Sequence, residues 1–357
     1  MSKIQKNINK LGLLERLEKG PVLCAEGYLF ELERRGYLKA GAFVPEVVLD
    51  YPDAVRELHR EFLRCGSDVM EAFTYYAHRE KLRTIGREDE LEPMNRQALR
   101  IAREVAAEGN ALGAGNICNT WVYDPENKEE SGKAVRAMYE EQVRWAVEEG
   151  ADFIIAETIS YLGEALIALE VIKAFKLPAV IMFATTRSLT QSKDGYEWIE
   201  ACKVLEAAGA DVVGFNCQAG PDTLMPLLKK LRKAVKCYTA ALPVPYHTTK
   251  EHFAMWNLQY KNKNAFPTAL DPLLCTRDEM ASFAKDAKEL GINFIGICCG
   301  AGPHHVRAMA EALGRTVPAS KYSPDMSQHG HYGSKKVVKK HEDTIIVGKK
   351  RKVVKDR

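Results

Sequence analysis

Three stretches of one pattern decide the fold: EEGADFIIAET (148–158), AAGADVVGFNC (207–217) and ELGINFIGICCG (289–300). Each starts at the end of a polar, helix-like segment, passes through a glycine and continues as a short apolar run. A glycine in this position is typical of a helix C-cap. An uninterrupted apolar run rich in Val, Ile and Phe is typical of a strand buried on both faces of a parallel sheet. The recurring pattern therefore indicates a repeated helix–strand unit.

Eight apolar runs of this type follow one another along the chain. They occupy residues 21–27, 67–76, 111–118, 151–158, 178–185, 210–217, 237–243 and 292–300. Segments with helical periodicity lie at 95–109, 133–150, 163–175, 196–209, 222–236, 281–291 and 303–314. About eight strand–helix units predict an α/β protein built as a (β/α)8 TIM barrel. A doubly wound sheet is the competing fold, but its dinucleotide-binding form needs a G-x-G-x-x-G after an early strand, and neither that motif nor a P-loop occurs.

The composition of the 357-residue chain narrows the class of protein. Apolar residues make up 46% and charged residues 28%, a globular balance that excludes a disordered or fibrous chain. No apolar run approaches the roughly 18 residues of a membrane span, and residues 1–20 lack the apolar core of a secretion signal. Nine cysteines, an odd number in a long chain, argue against a disulfide framework. We therefore expect a reduced, cytoplasmic protein without a membrane partner.

Two segments depart from the repeat. Residues 245–276 are longer than a normal strand–helix connection and rich in Tyr, Asn, Phe and Pro, which predicts an elaborated loop over the active face or in a subunit interface. Residues 335–357 carry ten Lys or Arg against three Asp or Glu. The predicted organisation is a barrel at 1–318 and a short basic C-terminal tail at 319–357, either an oligomerisation arm or disordered. The overall charge of +3 does not call for a nucleic-acid partner.

The candidates for chemistry are polar residues at the ends of the predicted strands, because a TIM barrel builds its active site there. They comprise Glu26, Gly27, Thr74, Tyr75, Tyr76, Glu157, Asn216, Cys217, Cys298, Cys299 and Gly300. Three of these are cysteines, and they come from two different strands.

Cys217, Cys298 and Cys299 are therefore predicted to meet on one rim. Adjacent residues of a flat strand face opposite sides, so Cys298 and Cys299 can share a metal only if the strand breaks, which the Gly-Ala-Gly that follows permits. Three thiolates leave the fourth tetrahedral position free, as in a catalytic zinc site. Two core cysteines with a third by chance are the alternative, because this spacing has no fixed finger pattern. The other six cysteines are interpreted as ordinary thiols.

Several motifs resemble those of the cobalamin-independent homocysteine S-methyltransferase family, and most closely its betaine-dependent members. They are ELERRGYLKAG (31–41), LHREFLRCGSDVMEAFTYYA (58–77), FIIAET (153–158), GFNC (214–217), PYHT (245–248) and GICCGAGPHHVRAMAE (296–311). The resemblance covers roughly residues 11–320. It implies zinc-dependent transfer of a methyl group from a betaine- or sulfonium-type donor to the thiol of L-homocysteine, which gives methionine.

The resemblance also implies roles for individual residues. Cys217, Cys298 and Cys299 would bind Zn²⁺, with the homocysteine sulfur as a fourth ligand. Glu157 would hold the amino group of homocysteine. The full set of substrate-binding residues that the resemblance implies is Glu26, Gly27, Tyr76, Glu157 and Asn216.

Departures from the betaine-dependent pattern cluster on the donor side. The first motif reads Ala25-Glu26-Gly27 where those enzymes have Asp-Gly-Gly, Phe43 stands in place of a tryptophan, and Thr158 stands in place of a tyrosine. Phe43 and Tyr75 are candidate donor-pocket residues, with ordinary core packing as the alternative. Glycine betaine, a thetin, S-methylmethionine and other betaines are all open as donors.

Two other functions compete with the methyltransferase. A regulatory relative would keep the zinc and the sulfur ligand but have little turnover, and the altered donor side favours it. A barrel aldolase or lyase would need a Schiff-base lysine at a strand end, and no such lysine stands out. The tail differs from the long arm that joins subunits in the betaine enzymes. The sequence therefore leaves both a monomer and a homo-oligomer open.

Overall fold

The structure is a computed structural model that describes residues 10–329 and 333. The chain divides into two compact units, Met1–Pro318 and Ala319–Arg357. Within the second unit, the described part contains a 3₁₀ turn at Met326–Gln328, and the basic residues from Lys335 onward lie outside the described residues. In the described part of the chain, no helix is long and apolar enough to span a membrane.

Eight parallel strands close into a barrel, which confirms the predicted TIM-barrel architecture. Each of the eight predicted apolar runs contains one of them. They are β1 (Val22–Ala25), β2 (Val69–Glu71), β3 (Leu112–Cys118), β4 (Phe153–Ile159), β5 (Ala179–Phe183), β6 (Val212–Asn216), β7 (Tyr238–Leu242) and, after the two short strands β8 (Gln259–Tyr260) and β9 (Lys263–Asn264), β10 (Phe294–Ile297). The pairing of β10 with β1 closes the ring.

Helices surround the strands. They are α1 (Leu13–Lys19), α2 (Tyr28–Arg34), α3 (Val47–Asp50), α4 (Pro52–Arg64), α5 (Arg79–Arg83), α6 (Leu91–Glu108), α7 (Lys128–Glu148), α8 (Leu162–Ala174), α9 (Trp198–Ala207), α10 (Pro221–Ala234), α11 (Arg277–Leu290) and α12 (Pro303–Ala312). The seven predicted helices are α6 to α12. The prediction omitted α1 to α5, including α4, whose buried Val55, Leu58 and Phe62 recur at helical spacing.

The connection from β7 to α11 is elaborated, as expected. It contains the antiparallel hairpin β8–β9, and Tyr246 and Leu274 form an antiparallel bridge near its two ends. The Arg34 guanidinium donates hydrogen bonds to the Tyr246 hydroxyl and to the carbonyl of Gly300, both at 3.1 Å. These bonds fix the start of the loop beside the end of β10.

The interior of the barrel is apolar at the amino ends of the strands. Every second residue of a strand contributes to one buried cluster, for example Val22 and Cys24 of β1, and Phe153 and Ile155 of β4. Leu13 and Leu17, one helical turn apart on α1, join the same cluster, so α1 closes this end. The opposite end, where the strands finish, is left for polar side chains.

Gly214 of β6 offers a test of how tightly the barrel is packed. A methyl group at this position would lie 2.1 Å from the carbonyl oxygen of Ala240 on β7, and backbone cannot move aside as a flexible side chain can. We expect Gly214→Ala to destabilise the barrel by about 1–3 kcal/mol or more, measured as a lower midpoint of thermal unfolding.

Gly132→Ala is the matched control for this substitution. Gly132 lies inside α7, and its new methyl group would meet only Ile167 Cδ1, at 3.4 Å. Because alanine is the better helix former, this variant should unfold at the same or a higher temperature. A Gly214→Ala protein as stable as the wild type would contradict the packing argument.

Candidate metal and substrate site

A layer of polar side chains lies directly above the apolar interior. Side chains of a strand face the two sides of a sheet alternately. Along six strands, the inward-facing positions change from apolar residues to a polar residue at the end of the strand or just beyond it. These polar residues are Glu26, Glu71, Asn116, Glu157, Asn216 and Cys298, and all six are buried. They surround the carboxyl end of the barrel.

The three cysteines meet at this layer. The Sγ atoms of Cys217, Cys298 and Cys299 all lie within 4.8 Å of one another, with Cys217 4% and Cys298 2% exposed. The predicted break in the last strand is present, since β10 ends at Ile297 and Gly300 has a φ of 92°. Cys217 and Gln218 both have left-handed backbone, with φ of 56° and 58°, so the chain turns sharply as it leaves β6.

The three thiols of the cluster differ in their pKa values. Hydrogen bonds from the Cys298 and Cys299 thiols lower the pKa of Cys217 well below its usual value. Burial raises the pKa of Cys298, and the hydrogen bond with Cys217 raises that of Cys299. Ionisation of Cys217 is therefore favoured over that of Cys298 and Cys299, and a bound cation would favour ionisation of all three thiols.

Two asparagine amides tie the carboxylates of the layer together. Asn116 Nδ2 donates to Glu71 Oε1 at 2.6 Å and to Glu157 Oε1 at 2.7 Å. Asn216 Nδ2 donates to Glu157 Oε2 at 2.7 Å and lies 3.3 Å from Glu26 Oε2. Asn216 Nδ2 is also 3.8 Å from Cys298 Sγ. Asn216 therefore connects the carboxylates to the thiols.

Thr158 completes this network in an uncommon backbone conformation. Its φ is 55°, which is rare for a β-branched residue. The Asn216 side chain accepts a hydrogen bond from Thr158 N at 2.8 Å, and the Thr158 hydroxyl lies 3.1 Å from Glu157 Oε2. The threonine that replaces the expected tyrosine thus serves the carboxylate network.

The layer has acceptors that nothing in the described chain satisfies. Glu26 Oε1, Glu71 Oε2 and Asn116 Oδ1 are buried and without a hydrogen-bond partner. Burial and mutual repulsion raise the pKa of Glu26 and Glu71 well above the usual value, and burial raises that of Glu157 to about 7. No basic side chain of the described residues is among the groups that shift these three pKa values. The site therefore offers a place for an external cationic hydrogen-bond donor.

Two cavities with shared lining residues lie at the layer. The inner one, about 20 Å³, is lined by Glu26, Glu71, Asn116, Glu157, Cys298 and Cys299, among others. It has room for one water-sized group. The outer one, about 370 Å³, shares Tyr75 and Thr158 with the inner one and reaches Gln218 beside the thiols. A small ligand can therefore place one end in the polar layer while most of it stays in the outer cavity.

Aromatic side chains form one wall of the outer cavity. The rings of Tyr75 and Tyr76 are 4.1 Å apart between centroids, and Trp121 Nε1 donates to the Tyr76 hydroxyl at 3.3 Å. Lys81 Nζ lies 4.5 Å from the centroid of the Tyr76 ring and 4.2 Å from that of Trp121. This pair of rings thus already binds a cation of the chain itself.

Gly27 and Phe43 lie differently with respect to the site. A methyl group on Gly27 would meet the carbonyl oxygen of Ala301 at 2.3 Å, so only glycine lets β1 and the segment after β10 approach this closely. Phe43 lines neither cavity. Its ring packs against Phe30 and Phe266, at centroid distances of 5.7 and 6.0 Å. The alternative of ordinary packing is therefore the one that the structure favours for Phe43.

Several residues of the site were missed from the sequence. Glu71 and Asn116 were treated as parts of apolar runs. Each lies two residues after an inward-facing apolar residue, Val69 and Ala114, and the alternation of strand side chains therefore places it inwards as well. Trp121 belongs to a loop and gave no pattern. Cys275, one of the six cysteines interpreted as ordinary thiols, has its Sγ 4.0 Å from His247 Nδ1, a neighbour that the sequence did not indicate.

These features define a TIM-barrel protein with a three-thiol candidate metal centre above a buried carboxylate layer. Residues 27–313 match the homocysteine S-methyltransferase family. Over 337 residues the chain is 36% identical to an S-methylmethionine–homocysteine S-methyltransferase of Pongo abelii, an alignment that covers 91% of this chain and 87% of the relative. It is 38% identical to betaine–homocysteine S-methyltransferase 1 of Danio rerio, with 91% and 81% covered. The chain therefore belongs to the homocysteine S-methyltransferase family.

Solved structures show the same fold. The metallated form of the homocysteine methyltransferase MmuM from Escherichia coli superposes with a TM-score of 0.65 at 20% sequence identity. The superposition covers 83% of this chain and 97% of that one. The barrel is thus shared across the family at low sequence identity.

Proposed function

We propose that this protein transfers a methyl group from a betaine- or sulfonium-type donor to the thiol of L-homocysteine, which gives methionine. The observation that carries the proposal is the convergence of three thiols on a buried layer of carboxylates with unsatisfied acceptor atoms. Family membership supports the same activity, and related enzymes act with betaine or S-methylmethionine.

The thiol cluster fits Zn²⁺. Zinc–sulfur bonds of about 2.3 Å in a tetrahedron put neighbouring sulfurs roughly 3.8 Å apart, and the three Sγ atoms already lie within 4.8 Å. Cys217, Cys298 and Cys299 would hold the ion and leave a fourth position. When bound, zinc would keep a coordinated substrate thiol deprotonated at neutral pH.

The carboxylate layer fits the amino group of homocysteine. An ammonium group is about the size of the inner cavity and carries three hydrogen-bond donors. Glu71 Oε2, Asn116 Oδ1 and Glu26 Oε1 are the acceptors without partners, while both oxygens of Glu157 are already bonded to amides. Glu157 would then attract the ammonium group through its negative charge. Glu71 and Glu26 would accept hydrogen bonds from it.

Transfer itself requires alignment. The homocysteine sulfur forms a bond to the methyl carbon as the bond from that carbon to the donor nitrogen or sulfur breaks, and the donor leaves as a neutral amine or sulfide. The thiol proton has gone to solvent. Tyr75 and Thr158 line both cavities, and Tyr76 lines the outer one. They would hold the onium group in line with the sulfur, and such positioning contributes much of the catalysis.

The compartment and the domain boundary are part of the proposal. Three thiols this close would oxidise readily outside a reducing environment, so we place the protein in the cytoplasm. Residues 1–318 would be the methyltransferase unit and 319–357 a separate basic segment, with self-association as its open role. The partners are homocysteine and a small methyl donor.

Methionine formation by reduced, zinc-loaded, full-length protein tests the function. We expect turnover with at least one donor from a panel of glycine betaine, a thetin and S-methylmethionine. Cys217→Ala should lose bound zinc and reduce turnover at least 100-fold, because one of three ligands is gone. Cys202→Ala, at a buried thiol of α9 outside the cluster, should keep about one zinc per chain and full turnover.

Zinc and homocysteine binding without methionine from any donor would instead support the regulatory relative. Absence of zinc from freshly reduced wild-type protein would contradict the proposal as a whole.

Glu71→Gln tests the role of the carboxylate layer. The amide keeps the shape and the bond from Asn116 but removes a charge, and a charge-assisted hydrogen bond contributes about 1.5–3 kcal/mol. We expect the KM for homocysteine to rise roughly 10- to 100-fold, with zinc content unchanged. With 4-mercaptobutanoate, which lacks the amino group, variant and wild type should behave alike.

Glu104→Gln, at an exposed glutamate of α6 paired with Arg56, is the control. If Glu71→Gln left the KM for homocysteine at the wild-type value, the amino group would have to bind elsewhere.

A further inference from the structure

The far end of the outer cavity is chemically unlike the end beside the thiols. Its walls include Tyr123 and Tyr161, whose ring centroids are 5.3 Å apart, and it reaches Ser160, Thr186 and Lys193. A neighbouring cavity of about 290 Å³ is lined by Lys193 and Arg187, again with Ser160 and Thr186. The outer cavity is therefore lined by Gln218, which follows Cys217 in the chain, and elsewhere by hydroxyl groups together with Lys193 and Glu164.

Lys193 is held in place by the turn that carries it. Its backbone N–H donates to the carbonyl of Ser160 at 2.8 Å. The carboxylate of the next residue, Asp194, accepts hydrogen bonds from Leu162 N at 2.9 Å and Gly163 N at 3.0 Å, at the start of α8. These bonds fix the Cα of Lys193 against the end of β4, so its side chain starts from a defined point on the rim.

The positive charges at this end are not neutralised by the described chain. Neither Lys193 nor Arg187 forms an ion pair with any described residue, and Lys193 Nζ lies 5.3 Å from the centroid of the Tyr161 ring. The nearest buried acid, Glu164, uses Oε1 to accept hydrogen bonds from Thr120 N and Oγ1, at 2.7 and 2.6 Å. Although Lys193 is exposed, partial desolvation and Arg187 lower its pKa, and Glu164 opposes this.

We propose that Lys193 and Arg187 bind the carboxylate of a zwitterionic methyl donor, whose onium group then points along the outer cavity towards the thiols. This inference rests on the proposed function. An anion between two unpaired cations is favourable, and anchoring the donor at the end away from the reacting methyl group fixes its direction. The amino group and the carboxylate of homocysteine are attached to the same carbon. An amino group held in the carboxylate layer therefore keeps that carboxylate at the inner end, and the anion at this end comes from the other substrate.

The inference predicts selectivity for donors with a carboxylate. A donor methyl ester keeps the onium group but cannot bind Lys193 and Arg187 as an anion. With a zwitterionic donor, Lys193→Met should raise the donor KM about 10-fold while kcat and the KM for homocysteine stay unchanged. Lys193→Arg should restore most of the affinity, because it restores the charge.

A binding experiment tests the site without turnover. The probe is 3,3-dimethylbutanoate, which has the shape and carboxylate of glycine betaine but no transferable methyl group, titrated calorimetrically into full-length, zinc-loaded protein with homocysteine present. We expect binding to wild type and to Lys193→Arg, and at least 10-fold weaker binding to Lys193→Met. Lys230→Met, at an exposed position of α10, should bind like wild type.

The matching amide, 3,3-dimethylbutanamide, is the uncharged control ligand. It should bind weakly, and equally to wild type and Lys193→Met. Equal binding of acid and amide by the wild type, an unaffected Lys193→Met, or no binding of the acid at all would each refute the anion site. A protein that binds the acid through Lys193 but forms no methionine would refute the proposed function and leave the anion site standing.

Discussion

In a closed parallel barrel every second residue of each strand must face inwards, and the site depends on this constraint. The inward positions that are apolar at the amino ends of the strands are polar at the carboxyl ends, so the same alternation that builds the core also builds the layer above it. Asn116 of β3 bonds to Glu157 of the neighbouring β4, and Asn216 of β6 bonds to the same carboxylate across the barrel end, past β5. The thiols are added where β6 and β10 stop being strands.

Electrostatics explains why the layer and the thiols belong together. Three carboxylates and three thiols are buried in one place, and burial together with the neighbouring acidic groups raises the pKa values of Glu26, Glu71 and Cys298. Such a concentration of acidic groups is costly unless cations enter it. A metal ion at the thiols and an ammonium group at the carboxylates would supply the two missing charges. Substrate binding would therefore complete the site.

The donor side follows a different logic. Apart from Thr158, near the end of β4, its residues come from loops after β2, β3, β4 and β5, which are free to vary without disturbing the barrel. Trp121 and Lys81 fill part of the aromatic wall, Thr158 is recruited to the carboxylate network, and Lys193 is held on a turn by Asp194. The strands set the proposed homocysteine side, and the loops set most of the proposed donor side.

This division also explains what the sequence alone could predict. Buried strands appear as apolar runs, and Cys217, Cys298 and Cys299 stand at their ends, so the barrel and the thiol cluster were both accessible. Glu71 and Asn116 lie inside apolar runs. To identify them as site residues, one must know which residues of the strand face inwards as well as where the strand lies. Phe43 was assigned to the donor pocket through resemblance, but its ring packs against Phe266 of a loop whose path no local pattern encodes. Lys193 and Trp121 are likewise loop residues placed by tertiary contacts.

Zinc K-edge X-ray absorption, on reduced full-length protein before and after L-homocysteine is added, tests the central claim most directly. The account predicts a zinc ion with three sulfur ligands from the protein and one additional sulfur when homocysteine is present. An unchanged number of sulfur ligands on addition of homocysteine, or zinc bound mainly through nitrogen and oxygen, would contradict it.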